Sequence, residues 1–279
     1  MKIHHLRNAT FIIESGKSFI LIDPMLGAKG SLPPFSRIRC KSLKNPLVDL
    51  PSNADSILDK VTDCLITHSQ KFGIRALQHT DHLDNTGEDF LRARNTPIAT
   101  LERDALTLKK YGLNIQTRLG YWRPQSLLGG EVTAVLAQHG DSWVHTLMAN
   151  GAGYFLQLPG EPSIYISGDT VYTTDVERAL KKLKPDIAVM ASGTATLDIS
   201  KPILMTMDEL TKFVRAAPGK VVANHLEALN HCPTTRKQLK QELESDGLLS
   251  KPATGCSIRS ATTRSCSSSE SSGKRFLNR

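Results

Sequence analysis

Four short apolar runs in this chain each lead into a histidine or an aspartate, and that placement constrains the fold more than any other feature. Asp63-Cys64-Leu65-Ile66-Thr67 stops at His68, Val132 to Leu136 is followed by His139, Tyr-Ile-Ser-Gly runs into Asp169, and Lys220 to Ala223 leads to His225. A polar stretch, His79-Thr80-Asp81-His82, adds three more such groups. A buried strand that ends in an imidazole or a carboxylate delivers it to the edge of a sheet. Several of them on one rim suit zinc, iron or manganese, which need lone pairs converging within about 2.0 to 2.2 Å of the ion.

The rest of the pattern predicts mixed strands and helices. Thr10 to Ile13 and Phe19 to Ile22 flank Glu14-Ser15-Gly16-Lys17, a hairpin signature. Further runs at Tyr154 to Leu158, Ser163 to Ile166 and Ile187 to Met190 alternate with helical segments at Glu88 to Arg94, Glu102 to Tyr111, Val176 to Lys182, Met207 to Ala216 and Thr235 to Ser245. That order predicts an α/β layer architecture. Gly27 to Asn53 has neither period and reads as a long surface excursion of the kind that forms lids. No internal repeat is visible.

With 279 residues, 39% of them hydrophobic, the chain can bury one large core. No run of 18 apolar residues exists and charges break every apolar stretch of the amino terminus, so neither a secretory leader nor a membrane span is expected. A cytoplasmic protein without a membrane partner is the expectation. Cys40, Cys64, Cys232, Cys256 and Cys266 are scattered without C-x-x-C spacing, which suits free thiols. Half of the net charge of +8 sits in Arg259 to Arg279, with five basic residues, one acidic residue and seven serines. This segment is too poor in apolar groups to offset its ordering and is expected to be a disordered tail behind a domain spanning 1–258.

The elements ITH...HTDHLD, AQHG, YISGDT and NHLEALNHC, in that order, resemble the metal-binding motifs of metallo-β-lactamase fold hydrolases. The branch is the one that includes ascorbate-phosphate lactonase. The resemblance runs from about Met1 to Ile258 and takes in RNATFIIE and LIDPML. It implies an αβ/βα sandwich, two mixed β-sheets flanked by helices, with two divalent metal ions at one edge, zinc first and manganese or iron as alternatives. By position, His68, His79 and His139 would hold the first metal. Asp81, His82 and His225 would hold the second, and Asp169 would bridge both around a shared hydroxide. Asp81 would also serve as the catalytic acid–base.

The chain departs from that pattern in one place that matters. The family spacing is H-x-H-x-D-H, whereas ten residues, Ser69 to Gln78, separate His68 from His79, and a contiguous motif would put Leu77 at the ligand position. The expectation is that these ten residues loop out and return His79 to the first metal. A smaller departure is Ser192-Gly193-Thr194-Ala195, where relatives carry an aspartate. His4, His5 and His145 are expected to be structural. For His231 ligation and hydrogen bonding both stay open, as do support of a metal-bound histidine and turn capping for Asp23.

The function expected is hydrolysis of a small-molecule ester, lactone, lactam or phosphodiester. Lys29, Arg37, Arg39, Lys41 and Lys44 on the excursion would favour an anionic substrate. Two alternatives are kept: a degenerate binding protein with an incomplete metal site, and a nucleic-acid processing hydrolase. Only 5% aromatics and no evident RNA-binding domain speak against the latter, so no nucleic-acid partner is expected.

Overall fold

Successive side chains in a strand point to opposite faces, so a strand apolar on both faces must be covered on both sides. In β2 (Thr10–Ser15) Phe11 and Ile13 face one way and Ile12 the other, and all three are buried. β3 (Ser18–Ile22) repeats this with Ile20 and Ile22 against Leu21, and β10 (Ile164–Ile166) with its two isoleucines against Tyr165. The computed structural model describes residues 1–69, 74–75, 78–141 and 149–249, and shows these faces resolved into four layers.

The first sheet runs in sequence order through β1 (Lys2–Arg7), β2, β3, β4 (Asp63–Ile66), β5 (Ile98–Leu101) and β6 (Ile115–Leu119). The second does the same through β7 (Gln125–Leu127), β8 (Gly130–Ala137), β9 (Gly151–Gln157), β10, β11 (Ile187–Ala191) and β12 (Lys220–Asn224). Each sheet begins with antiparallel pairs and ends with parallel ones. The two halves of the chain thus share one strand order, differing only in the third pair, which is parallel in the first sheet and antiparallel in the second, a likeness the amino-acid pattern does not reveal.

Between the sheets lies a core of Phe11, Ile20, Leu65 and Leu101 from the first and Val132, Tyr154, Leu156 and Val189 from the second. Helices cover the outer faces. α1 (Ala54–Leu58), α2 (Asn85–Ala93) and α3 (Glu102–Lys110) pack on the first through Leu58, Leu91 and Leu108. On the second lie α4 (Thr174–Arg178), which runs on into a π-helical stretch (Ala179–Leu183), then α5 (Met207–Ala216) and α6 (Arg236–Ser245), through Val176, Phe213 and Leu243. The expected αβ/βα sandwich is what the structure shows. α2 starts at Asn85 because the Asp84 carboxylate accepts the N–H of Gly87, an N-cap three residues ahead of the apolar period.

The strands missed in sequence are β5, buried but only four residues long, and the polar ones. β1 reads KIHHLR, and β6 alternates half-buried with exposed residues up to Leu119. The excursion from Gly27 to Asn53 differs from a loose surface lid. Ser36 and Asn45 on it are fully buried, and its middle is stitched to the loop after β12 by Asn230. The Asn230 side chain accepts from Phe35 N and Asn45 Nδ2, both at 2.9 Å, and donates to Ser36 O at 2.6 Å. The buried Arg7 guanidinium fixes its start by donating to Met25 O at 2.9 Å and Gly27 O at 2.7 Å. Among the described residues no helix is long and apolar enough to cross a membrane. Arg259 to Arg279, His145, Leu77, Cys256 and Cys266 lie outside the described residues.

Candidate metal centre

The chain leaves β4, β8, β10 and β12 at one rim of the sandwich, and each exit carries a candidate ligand. Several of these turns need the left-handed backbone. His225 (φ 52°), Asp23 (φ 45°) and Asn8 (φ 53°) adopt it, and these three residue types enter that region most readily. Gly168 (φ 62°) precedes Asp169, and a Cβ there would lie 2.5 Å from Ala152 O, so only glycine fits.

Seven residues come together in two adjoining groups. The donor atoms of His68, His79 and His139 lie within 4.8 Å of one another, and so do those of Asp81, His82, Asp169 and His225. All seven are buried. The gap of ten residues between His68 and His79 is closed at its base, where His79 N donates to Ser69 O at 2.9 Å, and the two imidazole rings lie 4.6 Å apart. Arg75 and Gln78 from this insertion are anchored on α2, donating to the buried Glu88 carboxylate at 2.6 and 2.8 Å.

Asp169 joins the groups. Its Oδ2 is 3.1 Å from His82 Nε2, 3.3 Å from His225 Nε2 and 3.8 Å from His139 Nε2. Asp81 Oδ2 reaches His82 Nε2 at 3.8 Å and His225 Nε2 at 4.0 Å. Behind the rings, Asp23 accepts from His82 Nδ1 at 2.9 Å and from Thr67 N and Oγ1 at 2.8 and 2.7 Å. Asp23 therefore supports a candidate ligand. The carbonyl of Ile203 accepts from His139 Nδ1 at 3.0 Å, and Thr67 Oγ1 lies 3.2 Å from His68 Nδ1. Cys232 Sγ lies 3.4 Å from His225 Nδ1. Asn8 donates to Asp81 O at 3.1 Å.

Electrostatics divides the two groups. Burial pushes the pKa of His68 well below its ordinary value, and the neighbouring His82 and His79 add to this; burial also lowers His139, against the pull of Asp169. For His82 and His225 burial acts the same way, yet Asp169, joined by Asp23 and Asp81 at His82 and by Cys232 at His225, prevails and holds both well above the usual range. Burial alone would raise Asp169, but His225 and His82 bring it well below the usual carboxylate range. Cys232 is brought down to about 7 because His231 and His225 outweigh its burial.

Divalent cations fit this donor set. His68 Nε2 and Asp169 Oδ1 are buried without a hydrogen-bond partner, and His82 Nε2 and His225 Nε2 approach Asp169 off hydrogen-bond geometry. Lone pairs left bare in a dry site are costly unless something positive accepts them. Imidazole and carboxylate are the borderline and hard donors preferred by zinc, iron and manganese.

Among the described residues His4, His5 and His231 lie outside both donor groups. His4 pairs with Glu14 at 2.7 Å on β1 and His5 contacts Asn8 O at 3.0 Å. His231, 4% exposed, packs edge-on against Phe35 of the excursion with Nδ1 unpartnered, and its Nε2 is 4.0 Å from Cys232 Sγ. It is in neither donor group. Asn8, Thr67, Ile203 and Cys232 are the supporting groups that the motifs do not announce. Asn8 inside RNATFIIE, Thr67 inside ITH and Cys232 inside NHLEALNHC lay in segments already singled out, and Ile203 did not. At Ser192 to Ala195, Thr194 (φ 48°) pairs with Thr234 Oγ1 at 2.5 Å, and no carboxylate is presented.

Comparison with known proteins gives a consistent picture. No family model matches the chain. The UPF0173 protein YddR of Bacillus subtilis is 30% identical over 254 residues, 90% of this chain and 95% of its own. A UPF0173 metal-dependent hydrolase of Methylacidiphilum infernorum is 26% identical over 204 residues, 73% of this chain and 77% of its own. Among solved structures, the isothiocyanate hydrolase from Delia radicum gut bacteria superposes with a TM-score of 0.77 and 29% identity, covering 91% of this chain and 97% of that one. A "possible metal-dependent hydrolase" of Veillonella parvula gives 0.79 and 26%, covering 93% and 96%. The metallo-β-lactamase fold protein YhfI of Bacillus subtilis, at 12% identity and a TM-score of 0.57 over 92% of this chain and 90% of that one, is alike in fold alone.

Proposed function

Because the chain belongs to the UPF0173 family of metal-dependent hydrolases and has the metallo-β-lactamase fold, we propose that it hydrolyses a small electrophilic molecule at a two-metal centre. His68, His79 and His139 would hold one ion, Asp81, His82 and His225 the other, and Asp169 would contribute to both. The observation that carries this is the pair of adjoining donor groups, each within 4.8 Å, with Asp169 Oδ2 in reach of both. A degenerate binding protein would lack a donor, and the gathering of all seven candidate residues into the two groups supports the two-metal reading against it.

Two divalent cations, zinc or else manganese or iron, would supply the positive charge that acidifies water and steadies a developing oxyanion. The protein contributes geometry. Asp23, Ile203 O, Thr67 and Cys232 fix the imidazoles from behind, so their Nε2 atoms face the centre. Asp81, the most exposed carboxylate there with 11% of its side chain accessible against 3% for Asp169 and 2% for Asp23, is placed to orient the water and to hand a proton to the leaving atom.

Esters, lactones, lactams and phosphodiesters suit such a centre, and the similarity to an isothiocyanate hydrolase over nearly the whole of both chains adds the N=C=S group. For an isothiocyanate the water oxygen bonds to the central carbon, the carbon–nitrogen bond breaks, and both protons end on nitrogen, giving an amine and carbonyl sulfide. Lys29, Arg37, Arg39, Lys41 and Lys44, all exposed on the excursion, favour a substrate that carries a negative charge. Metal analysis combined with a screen of benzyl isothiocyanate, lactones, lactams, thioesters and phosphodiesters tests the proposal. About two equivalents of metal and turnover lost with a chelator are expected. Fewer than one equivalent after reconstitution, with no turnover of any class, overturns it.

A further inference from the structure

Three of the candidate ligand histidines have an oxygen at Nδ1: the Asp23 carboxylate for His82, the Ile203 carbonyl for His139 and the Thr67 hydroxyl for His68. His225 has a sulfur there instead, Cys232 Sγ at 3.4 Å. The backbone builds a slot for it. Cys232 is 2% exposed, its N–H is tied to Leu229 O at 3.1 Å, and a Cβ on Gly193 would come within 2.9 Å of Sγ and 2.4 Å of His225 O. At the far side of the ring, His225 Nε2 is buried without a hydrogen-bond partner, 3.3 Å from Asp169 Oδ2.

We propose that Cys232 is a positioning residue of the second metal site, its sulfur accepting the Nδ1–H of His225 and so fixing the tautomer that presents the Nε2 lone pair to the ion. The proposal rests on His225 being a ligand. A neutral imidazole carries one N–H, and Nε2 can ligate only when the proton sits on Nδ1. Without an acceptor that buried N–H has no partner and the other tautomer gains ground. The reverse arrangement, with the thiol donating to Nδ1, would leave the ring's single N–H on Nε2, turned toward Asp169, and block the site. The sulfur also explains the glycine: any side chain at position 193 would close the slot.

Cobalt(II) titration of the chelator-stripped full-length protein, read by visible absorption and by competition with a chromophoric chelator, tests this without turnover. Wild type, Cys232→Ala, Cys232→Ser, His225→Ala and the His225→Ala/Cys232→Ala double variant are compared, with metal-free melting recorded for each. Cys232→Ala is expected to weaken one of two equivalents by about 10- to 100-fold, the usual effect of removing a partner behind a ligand, while the other stays within a few-fold. Cys232→Ser, which keeps an acceptor, recovers most of the loss. In the His225→Ala background the cysteine change adds nothing. If alanine does not fold, Cys232→Val, which fills the slot without a strong acceptor, takes its place. Wild-type affinity in Cys232→Ala, equal weakening in alanine and serine variants, or a further loss on top of His225→Ala overturns the proposal. Wild type that takes up no cobalt removes the ligand assignment and the proposal together. Loss in His225→Ala with none in Cys232→Ala removes the proposal alone.

Discussion

Asp169 places one oxygen within 4 Å of imidazoles from both donor groups, His139 on one side and His82 and His225 on the other. A carboxylate so placed would offset the mutual repulsion of two cations, which no neutral neighbour can do. Asp169→Ala is expected to release at least one metal equivalent and to abolish hydrolysis, measured by metal analysis and turnover on the same sample. Full activity with both metals retained would remove the two-metal assignment. The strand-end residues were legible in sequence because a histidine or aspartate after an apolar run is a one-dimensional pattern. Of their supports Asp23 was raised only as one of two open readings and Ile203 was not raised, since the Ile203 carbonyl lies 64 residues from His139 and Asp23 lies 59 from His82. Contacts of that range come from topology and leave no local spacing to read.

The insertion between His68 and His79 has its ends brought together by the His79 N–H to Ser69 O hydrogen bond, so its length matters little to the ligands it connects. A variant joining His68 to His79 through one residue is expected to bind metal at least as well as the natural chain, read by the same cobalt titration; loss of the first equivalent would show that the insertion itself shapes the site. Glu88 on α2, 1% exposed, receives Arg75 twice and Gln78 once, bonds to a charged group worth about 1.5 to 3 kcal/mol each when one partner is removed. Glu88→Ala should therefore weaken metal binding at the His68 group and spare the other. Equal weakening of both would point to general destabilisation. The excursion from Gly27 has a comparable pin in Asp198, which accepts from Ser36 Oγ and from the N–H groups of Arg37, Ile38 and Arg39 at 2.6 to 3.1 Å. The Ser36 hydroxyl and those amides hold its carboxyl well below the usual range, so the pin is complete above about pH 4 and is lost only as pH falls through that lowered value. Asp198→Ala should speed amide exchange at Arg37 to Arg39 at neutral pH, and unchanged exchange would show that the segment is held elsewhere. Elements followed the same rule of legibility as residues. Apolar strands such as β10 and β11 announced themselves, whereas β1, β6 and β7, with polar or half-exposed faces, gave no period to detect.

The two six-stranded sheets share one strand order, one from each half of the chain, and every candidate metal position draws on both halves. His68 and His79 come from the first half and His139 from the second; Asp81 and His82 from the first, Asp169 and His225 from the second. Sequence could supply the α/β class from the alternation of runs, but the repeat was hidden because the shared feature is pairing order and not residue identity. Arg259 to Arg279 has little apolar surface to bury, so its deletion should leave melting temperature and hydrolysis nearly unchanged. A fall of more than about 5 °C, corresponding to more than about 1 kcal/mol, would show it docked on the body. Metal removal should act quite differently. The apolar layer between the sheets, from Phe11 to Val189, does not depend on the rim, so the stripped protein is expected to remain folded. It loses two cross-links between its halves and leaves five buried histidines and two aspartates of the rim to balance one another. A ligand present at about 100 times its Kd stabilises the folded state by about 2.7 kcal/mol per site, and about 1 kcal/mol moves the melting point of a domain of this size by about 2 to 4 °C. Calorimetry with and without chelator should therefore show a melting point at least about 5 °C lower without metal, restored by stoichiometric zinc or manganese. Identical melting in the two samples, with metal analysis confirming that the first was loaded, would mean that the ions do not tie the halves together.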